Sequence, residues 1–411
     1  MEITFVGRTL TREGGSSFSL DLTAQLLADH GHDVQILTLS DLNKNPNLDR
    51  DYDVESVDVS GYRTRIGKSK GIAEVLENYS SSTDIYHLYT PSFASGGGRY
   101  RQEEGEVPVV TRLNNYDLFC TNLSRIDGSC HQNCHVMEKF QHSTNTLQRD
   151  LVKTPLYMYS TYIEPRLLNA VDAYIALSPA VKEIYSNIGV SSERIHTLPN
   201  FYDPSFSESA SPKQPLEKLE SGIDLLYTGR LESQKGVDVL VNAANRIRER
   251  GKRVAIHVVG NGGQKQQLKR LSRELGISEH TMFYGWVEYS ELSSFYCSAD
   301  AFVHPGRWPE PFGRTILEAM QCGCLPVVSD IGGPPWIVDD DDLTFPVDDP
   351  DALAGRVETI FEESRSGERT NKKEQCRSRV EDFAPERLIE QLQDIYQNIE
   401  QSGGALVSHN T

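Results

Sequence analysis

The chain has 411 residues, 38% of them apolar and 9% aromatic, which is enough for two packed domains and excludes a single small module or a largely disordered chain. Its 59 acidic residues against 41 basic ones leave a net charge of −18, and non-specific nucleic-acid binding, which needs cations to neutralise phosphates, is disfavoured. With no eighteen-residue apolar run and no charged-then-apolar leader, a soluble cytoplasmic protein is expected, with peripheral contact at the inner face of a membrane left open.

In chain order, short β-branched runs alternate with helical stretches. The first set is Ile3–Gly7, Asp33–Leu39, Ile85–Tyr89, Val107–Thr111, Ala173–Leu177 and Ile195–Leu198. Such near-continuous apolar strands predict a parallel sheet covered on both faces. Tyr202 to Ser221, with Pro204, Pro212 and Pro215, reads as a linker or loop. A second set follows it: Asp224–Thr228, Ala255–Gly260, Met282–Tyr284, Ala301–His304 and Leu325–Ser329, with helices over Gly236–Arg250 and Gln264–Leu275 between its members. Arg387–Ile399 places Leu388, Ile389, Leu392, Ile395, Tyr396 and Ile399 on one helical face that needs a partner surface. The pattern predicts two doubly wound α/β domains in series.

Doubly wound sheets bind ligands beyond the carboxyl ends of their strands, so the strand-to-helix loops are where chemistry is sought. After the first strand, Gly14-Gly15-Ser16 precedes a helix and reads equally as an anion cradle or a plain turn. The loop GRLESQKG, residues 229–236, puts Gly229 and Arg230 at a strand end and Lys235 just before a helix, so that two cations can converge on one anion. Gly260-Asn261-Gly262-Gly263 offers bare backbone to a base or phosphate, or simply turns. The fourth loop, from His304 to Thr315, holds Glu310 beside a helix start and Glu318 about a turn inside that helix. Two carboxylates for hydroxyls, with helix-terminal amides for phosphate, suit a nucleotide sugar. The competing reading makes Glu310 and Glu318 solvated acids.

Glu310 and Glu318 with seven residues between them, Arg230 and Lys235 in GRLESQKG, and Ser329-Asp330-Ile331-Gly332-Gly333 resemble the donor site of retaining GT-B glycosyltransferases of family 4. His196-Thr197-Leu198-Pro199-Asn200 with Asp203 resembles that family's interdomain segment, so the resemblance covers nearly the whole chain. It implies an α/β GT-B fold of two Rossmann-like parallel-sheet domains facing a cleft. Residues 1–203 would be the acceptor-side domain, joined by a C-terminal helix at 385–400; residues 204–384 would bind the donor, and 401–411 form a flexible tail. Residue by residue, it implies that Arg230 and Lys235 bind the donor diphosphate, Glu310 contacts the transferred sugar and Glu318 holds the ribose. Gly229, Gly260 and the backbone at Phe312, Gly313, Arg314 and Thr315 would line the donor, with Gly15 against its phosphates from the opposite domain.

The implied reaction is glycosyl transfer with retention, from a nucleotide-diphosphate sugar to a glycan or lipid-linked acceptor in cell-surface glycan or glycoconjugate assembly, with no metal or cofactor required. A nucleotide-sugar epimerase and a non-catalytic donor-binding subunit are the alternatives. Many relatives resembling this chain carry His-Asp where it has Asn114-Asn115. Asparagine cannot act as a base at neutral pH, but Asn114 can still orient a sugar on the acceptor side.

Cys120, Cys130, Cys134 and His135 could hold a structural zinc ion; their spacing is not that of a zinc ribbon, and free thiols are the preferred reading. The run Asp339–Asp342 is expected to be a solvated acidic loop. Arg63, Arg65, Lys68 and Lys70 form a basic patch, read as a solvated face or as an attraction for an anionic lipid-linked acceptor or membrane.

Overall fold

Apolar β-branched runs become parallel strands because helices on both faces leave them no polar side. The computed structural model describes residues 1–10, 15–39, 50–62, 64–116, 118, 147–208, 216, 222–363 and 368–402. Within them the first strands are β1 (Glu2–Gly7), β2 (Asp33–Thr38), β3 (Asp53–Ser56), β4 (Ile85–Leu88), β5 (Val109–Leu113), β6 (Ala173–Ala176) and β7 (Ile195–Thr197). They form one seven-stranded sheet in the order β3-β2-β1-β4-β5-β6-β7. The later strands are β8 (Ile223–Thr228), β9 (Val254–Val259), β10 (Thr281–Gly285), β11 (Ala301–His304), β12 (Leu325–Ser329) and β13 (Thr344–Phe345), ordered β10-β9-β8-β11-β12-β13. Neighbouring strands in both sheets pair parallel. The strands expected from sequence all form, with ends moved by one or two residues. β3 and β13 were not foreseen. β3 is an edge strand of Asp53, Val54, Glu55 and Ser56 with little buried surface, and β13 is two residues long.

The chain divides into two units, Met1–Asn200 together with the segment from Pro385 onward, and Phe201–Ala384. In the first unit β4, β5 and β6 are buried along their whole length. The C-terminal helix, Pro385–Ser402, buries Leu388, Ile389, Leu392, Tyr396 and Ile399. The Tyr396 hydroxyl and Nδ1 of His87 in β4 share a hydrogen bond at 2.6 Å. Burial, with help from Arg112, holds His87 well below the usual histidine pKa, so the imidazole is neutral. Truncating Tyr396 to alanine would cost about 3–5 kcal/mol, the usual loss for a buried aromatic.

The second unit ties its sheet together through buried polar contacts as well as apolar ones. His257 in β9 bonds Asp224 of β8 through Nε2 at 2.8 Å and Tyr284 of β10 through Nδ1 at 2.9 Å, so one imidazole spans three strands. Part of the expected linker forms a short helix, Pro204–Glu208, whose Phe206 packs on Tyr289 and Tyr296. Among the described residues no helix is long and apolar enough to cross a membrane.

Candidate functional site

Each sheet reverses its strand order at its first strand: β1 lies between β2 and β4, and β8 between β9 and β11. Ligands of open α/β sheets sit outside the carboxyl ends of the strands at such a reversal. In the second unit the loops that leave β8 and β11 carry Arg230, Lys235 and Glu310.

Local chemistry presses those two loops together. Lys235 ends a 3₁₀ turn, Ser233–Lys235, and Gly236 follows with a φ of 65°. A Cβ on Gly236 would lie 1.8 Å from the Pro305 carbonyl oxygen, so only glycine allows this approach. Arg307 then clamps the junction: its guanidinium grips both oxygens of Asp238 at 2.7 Å and donates to the Ser233 carbonyl at 3.0 Å. Its amide donates to the Gln234 carbonyl at 2.8 Å. A third loop enters at Gly260, where a Cβ would stand 1.9 Å from the Gly229 carbonyl oxygen.

On this frame Lys235 donates from Nζ to Oε1 of Glu310, and the two side chains are 19% and 18% exposed. Burial works against charge on Glu310, but Lys235, His304 and Arg230 outweigh it and hold the carboxyl below its ordinary value. Glu310 is therefore ionised at neutral pH. Behind it His304 is pushed down to about 4, chiefly by burial, with Lys235 adding to the effect and Glu310 opposing it. The imidazole is neutral, and its buried Nδ1 has no hydrogen-bond partner among the described residues. The backbone of Glu310 is fixed too, since its carbonyl accepts from the Gly333 amide at 2.8 Å.

Glu318 belongs to a second group. It is 5% exposed, which rules out a solvated helix residue. Tyr296 donates to Glu318 Oε2 at 3.0 Å and therefore accepts from Thr228 Oγ1 at 2.5 Å. Burial raises the Glu318 carboxyl to about 7; Arg314 and Tyr296 oppose the shift and Asp203 adds to it. Tyr227 and Thr228, consecutive in β8, serve the two groups separately, for Tyr227 donates to the Arg230 carbonyl at 2.8 Å. Arg314 falls in with Glu318 and Tyr289. Arg314 and Thr315 open the helix Arg314–Gln321, where first-turn amides have no intrahelical acceptor. Gly313 precedes them with a φ of 127°. The Phe312 side chain is buried against Phe383, so only its backbone can meet a ligand.

At the reversal in the first unit the chemistry is different. A cavity of about 120 Å³ is lined by Gly7, Arg8, Ser16, Thr90 and Asn114 among others. Asn114 donates from Nδ2 to the Tyr89 carbonyl at 2.8 Å. Asn114 Oδ1 and the buried Thr90 hydroxyl have no partner among the described residues. Gly15 begins the helix Gly15–Asp29, with open space where a Cβ would point.

Cys120, Cys130, Cys134 and His135 fall outside the described residues, as do Gly14 and Arg63. Among the described residues no three His, Cys, Asp or Glu side chains gather as a metal site. The acidic run is tied down by cations: Lys372 pairs with Asp340 and Asp342, and Arg356 with Asp342. Sequence reasoning missed the Arg307 clamp, the buried His304 and the Thr228–Tyr296 support beneath Glu318. Of these only Arg307 left a local signal, a cation inside a proline-rich loop.

Known proteins resemble this chain in sequence and in fold. Residues 13–206 match the model for Glycosyltransferase Family 4 and residues 210–379 that for Glycosyl transferases group 1. An uncharacterised glycosyltransferase of Methanocaldococcus jannaschii is 30% identical over 39% of this chain and 42% of its own. Mannosylfructose-phosphate synthase of Agrobacterium fabrum is 30% identical over 41% of this chain and 39% of its own. The GDP-mannose-dependent phosphatidylinositol monomannoside mannosyltransferase of Mycolicibacterium smegmatis is 26% identical over 46% and 58%. The matches thus span about two fifths to three fifths of those relatives' lengths. In fold, the chain is similar to Anabaena HepE in complex with UDP, with a TM-score of 0.70 at 18% identity over 97% of this chain and 100% of that one. It is similar too to sucrose-phosphate synthase of Thermosynechococcus elongatus, with a TM-score of 0.72 at 19% identity over 97% and 99%. With two parallel-sheet α/β units and both halves matched by the family's models, the chain belongs to the group 1, family 4 glycosyltransferases and has the GT-B fold.

Proposed function

We propose that this chain transfers a sugar, with retention, from a nucleotide-diphosphate donor to a hydroxyl of a glycan or lipid-linked acceptor. The observation that carries the reading is the Arg230–Lys235–Glu310 group at the strand-order reversal of the second sheet. When the bond from the anomeric carbon to the diphosphate breaks, negative charge builds on the departing oxygens. Arg230 and Lys235 neutralise that charge with groups already in place, which is where preorganised donors contribute most. The ionised Glu310 accepts hydrogen bonds from sugar hydroxyls and loses its lysine partner to the diphosphate as the donor arrives. Glu318 meets the ribose hydroxyls, and the first-turn amides at Arg314 and Thr315 add donors for phosphate. Neither protein carboxylate is assigned as a nucleophile, and no metal is required for this charge balance.

The UDP held by Anabaena HepE and the GDP-mannose dependence named for the mycobacterial relative support a nucleotide-sugar donor without choosing the base. A thermal-shift screen against UDP-, GDP-, ADP- and dTDP-sugars tests the reading. A donor at a hundred times its dissociation constant adds about 2.7 kcal/mol of stability. No shift with any of the four, while Lys235→Ala behaves as wild type in transfer assays, would reject it.

A further inference from the structure

Four large apolar side chains are conspicuously exposed among the described residues: Met158 at 51%, Tyr162 at 57%, Ile163 at 49% and Trp286 at 58%. Three of them fall within six residues. They stand at the end of the helix Leu147–Met158 and in the π-helical turn Tyr159–Ile163 that continues it. A π turn admits about one extra residue per turn and is frequent at functional sites. Met158, Tyr162 and Ile163 line a cavity of about 370 Å³ together with Pro155, Ile66 and the stem of Arg99.

The charge around this groove runs against the rest of the molecule. Residues 64–73 and 153–168 hold Arg65, Lys68, Lys70, Lys153 and Arg166 against a single acid, Glu164, in a chain of net charge −18. Glu164 is buried and already neutralised, since Arg65 grips both its oxygens at 2.9 Å. Arg65 thereby leaves the basic patch suggested by the sequence and becomes structural, while Lys68 and Lys70 stay exposed. Lys70 lies four residues after Ile66 on the same helix, hence on the same side. Arg99 shares its guanidinium with Glu103 at 3.3 Å, and its buried Nε has no partner among the described residues.

We propose that this face docks on an anionic lipid bilayer, with Met158, Tyr162 and Ile163 entering the interface and Lys70, Lys153 and Arg166 meeting the headgroups. Apolar insertion and lysine–headgroup attraction add where both lie on one face, and tyrosine suits the boundary because one end of it is apolar and the other wet. A water-soluble protein partner with an acidic rim is the competing occupant. The bilayer is favoured because Met158, Tyr162 and Ile163 are all about half exposed within six residues and have cations close in sequence, so that a layer with an apolar interior and anionic headgroups can meet both at once. The inference concerns where the chain works and stands apart from the donor chemistry of the second unit.

The test is co-sedimentation of the full chain with vesicles of phosphatidylcholine alone or with 30% phosphatidylglycerol. Binding to the anionic vesicles is expected to be about tenfold tighter, and to fall as salt rises. The triple variant Met158→Ser, Tyr162→Ser, Ile163→Ser should lose about tenfold of that binding, and Lys70→Glu with Arg166→Glu a similar amount. Trp286→Ser, an equally exposed residue of the second unit, should lose nothing. Unchanged melting temperature and donor-induced thermal shift in each variant show that the fold and the donor site persist. Equal binding to both vesicle types, wild-type binding by the triple variant, or an equal loss in Trp286→Ser overturns the proposal. So does a concentration-dependent dimer that the triple variant abolishes, if vesicles bind neither form.

Discussion

The two strand-order reversals are built alike and furnished differently. Beside β8 the loops bring a lysine–glutamate pair, a second cation and a buried carboxyl to the strand ends. Beside β1 the cavity presents Ser16, Thr90, Asn114 and the bare backbone of Gly7, with Arg8 the one charged side chain among its described lining residues. One architecture supplies the place in both units, and side-chain charge decides what each place can do. In the proposed function the reversal beside β1 suits hydroxyls, and the one beside β8 suits a diphosphate whose charge grows during reaction.

That contrast breaks most directly at Lys235. Lys235→Ala removes the donor to Glu310 and one of two cations for the diphosphate, and it should lower the transfer rate by roughly 10²–10³, as loss of one preorganised charge donor does. It should also abolish most of the stabilisation by donor. Activity within a few-fold of wild type, measured at saturating donor, would mean that the charged reversal is not where the leaving group is held.

Glu318 sharpens the comparison, because the first unit's cavity has no buried carboxyl among its described lining residues. Its folded pKa of about 7 lies above the ordinary 4.5, so the folded chain holds the proton more tightly than the unfolded one. Stability should accordingly be greatest below about pH 4.5 as far as this group is concerned, and be lost as pH rises through 7. The full shift corresponds to about 3 kcal/mol as an upper bound. Glu318→Gln keeps an acceptor for Tyr296 and cannot titrate. Urea unfolding at pH 5.5 and 8.5 should therefore show a smaller drop for the variant than for wild type. If ribose hydroxyls meet the carboxylate, donor affinity should rise through pH 7 in wild type and stay flat in the variant. The same pH slope in both proteins would place the titration elsewhere.

Much of this was legible in the sequence, and the reason differs for fold and site. Strands such as Ala301–His304 and Leu325–Ser329 announce themselves because a strand buried on both faces must be apolar throughout. β3 does not, because Asp53, Glu55 and Ser56 lie on an exposed edge where nothing demands apolar residues. Arg230, Lys235 and Glu310 could be named from loop position and residue type. That Lys235 meets Glu310 across a sequence separation of 75, or that Arg307 is spent on Asp238, depends on how two loops pack. The Thr228–Tyr296–Glu318 chain was equally invisible, since each hydroxyl looks like any other until the helices place them.

The smallest expected effect tests whether the two reversals act independently. Asn114→Ala removes the hydrogen bond to the Tyr89 carbonyl and an Oδ1 that has no partner among the described residues, at a residue lining the first unit's cavity. Loss of one neutral hydrogen bond costs about 1 kcal/mol, so stability should fall by that order and the transfer rate by about fivefold if a substrate hydroxyl also uses Oδ1. Donor-induced stabilisation should not change, because the proposed diphosphate site is at Arg230 and Lys235. Calorimetry with donor alone and rate measurements with donor and acceptor separate the two effects. Should Asn114→Ala weaken donor binding as much as Lys235→Ala does, the uncharged reversal would share the diphosphate, and the division of labour drawn from side-chain charge would fail at its most testable point.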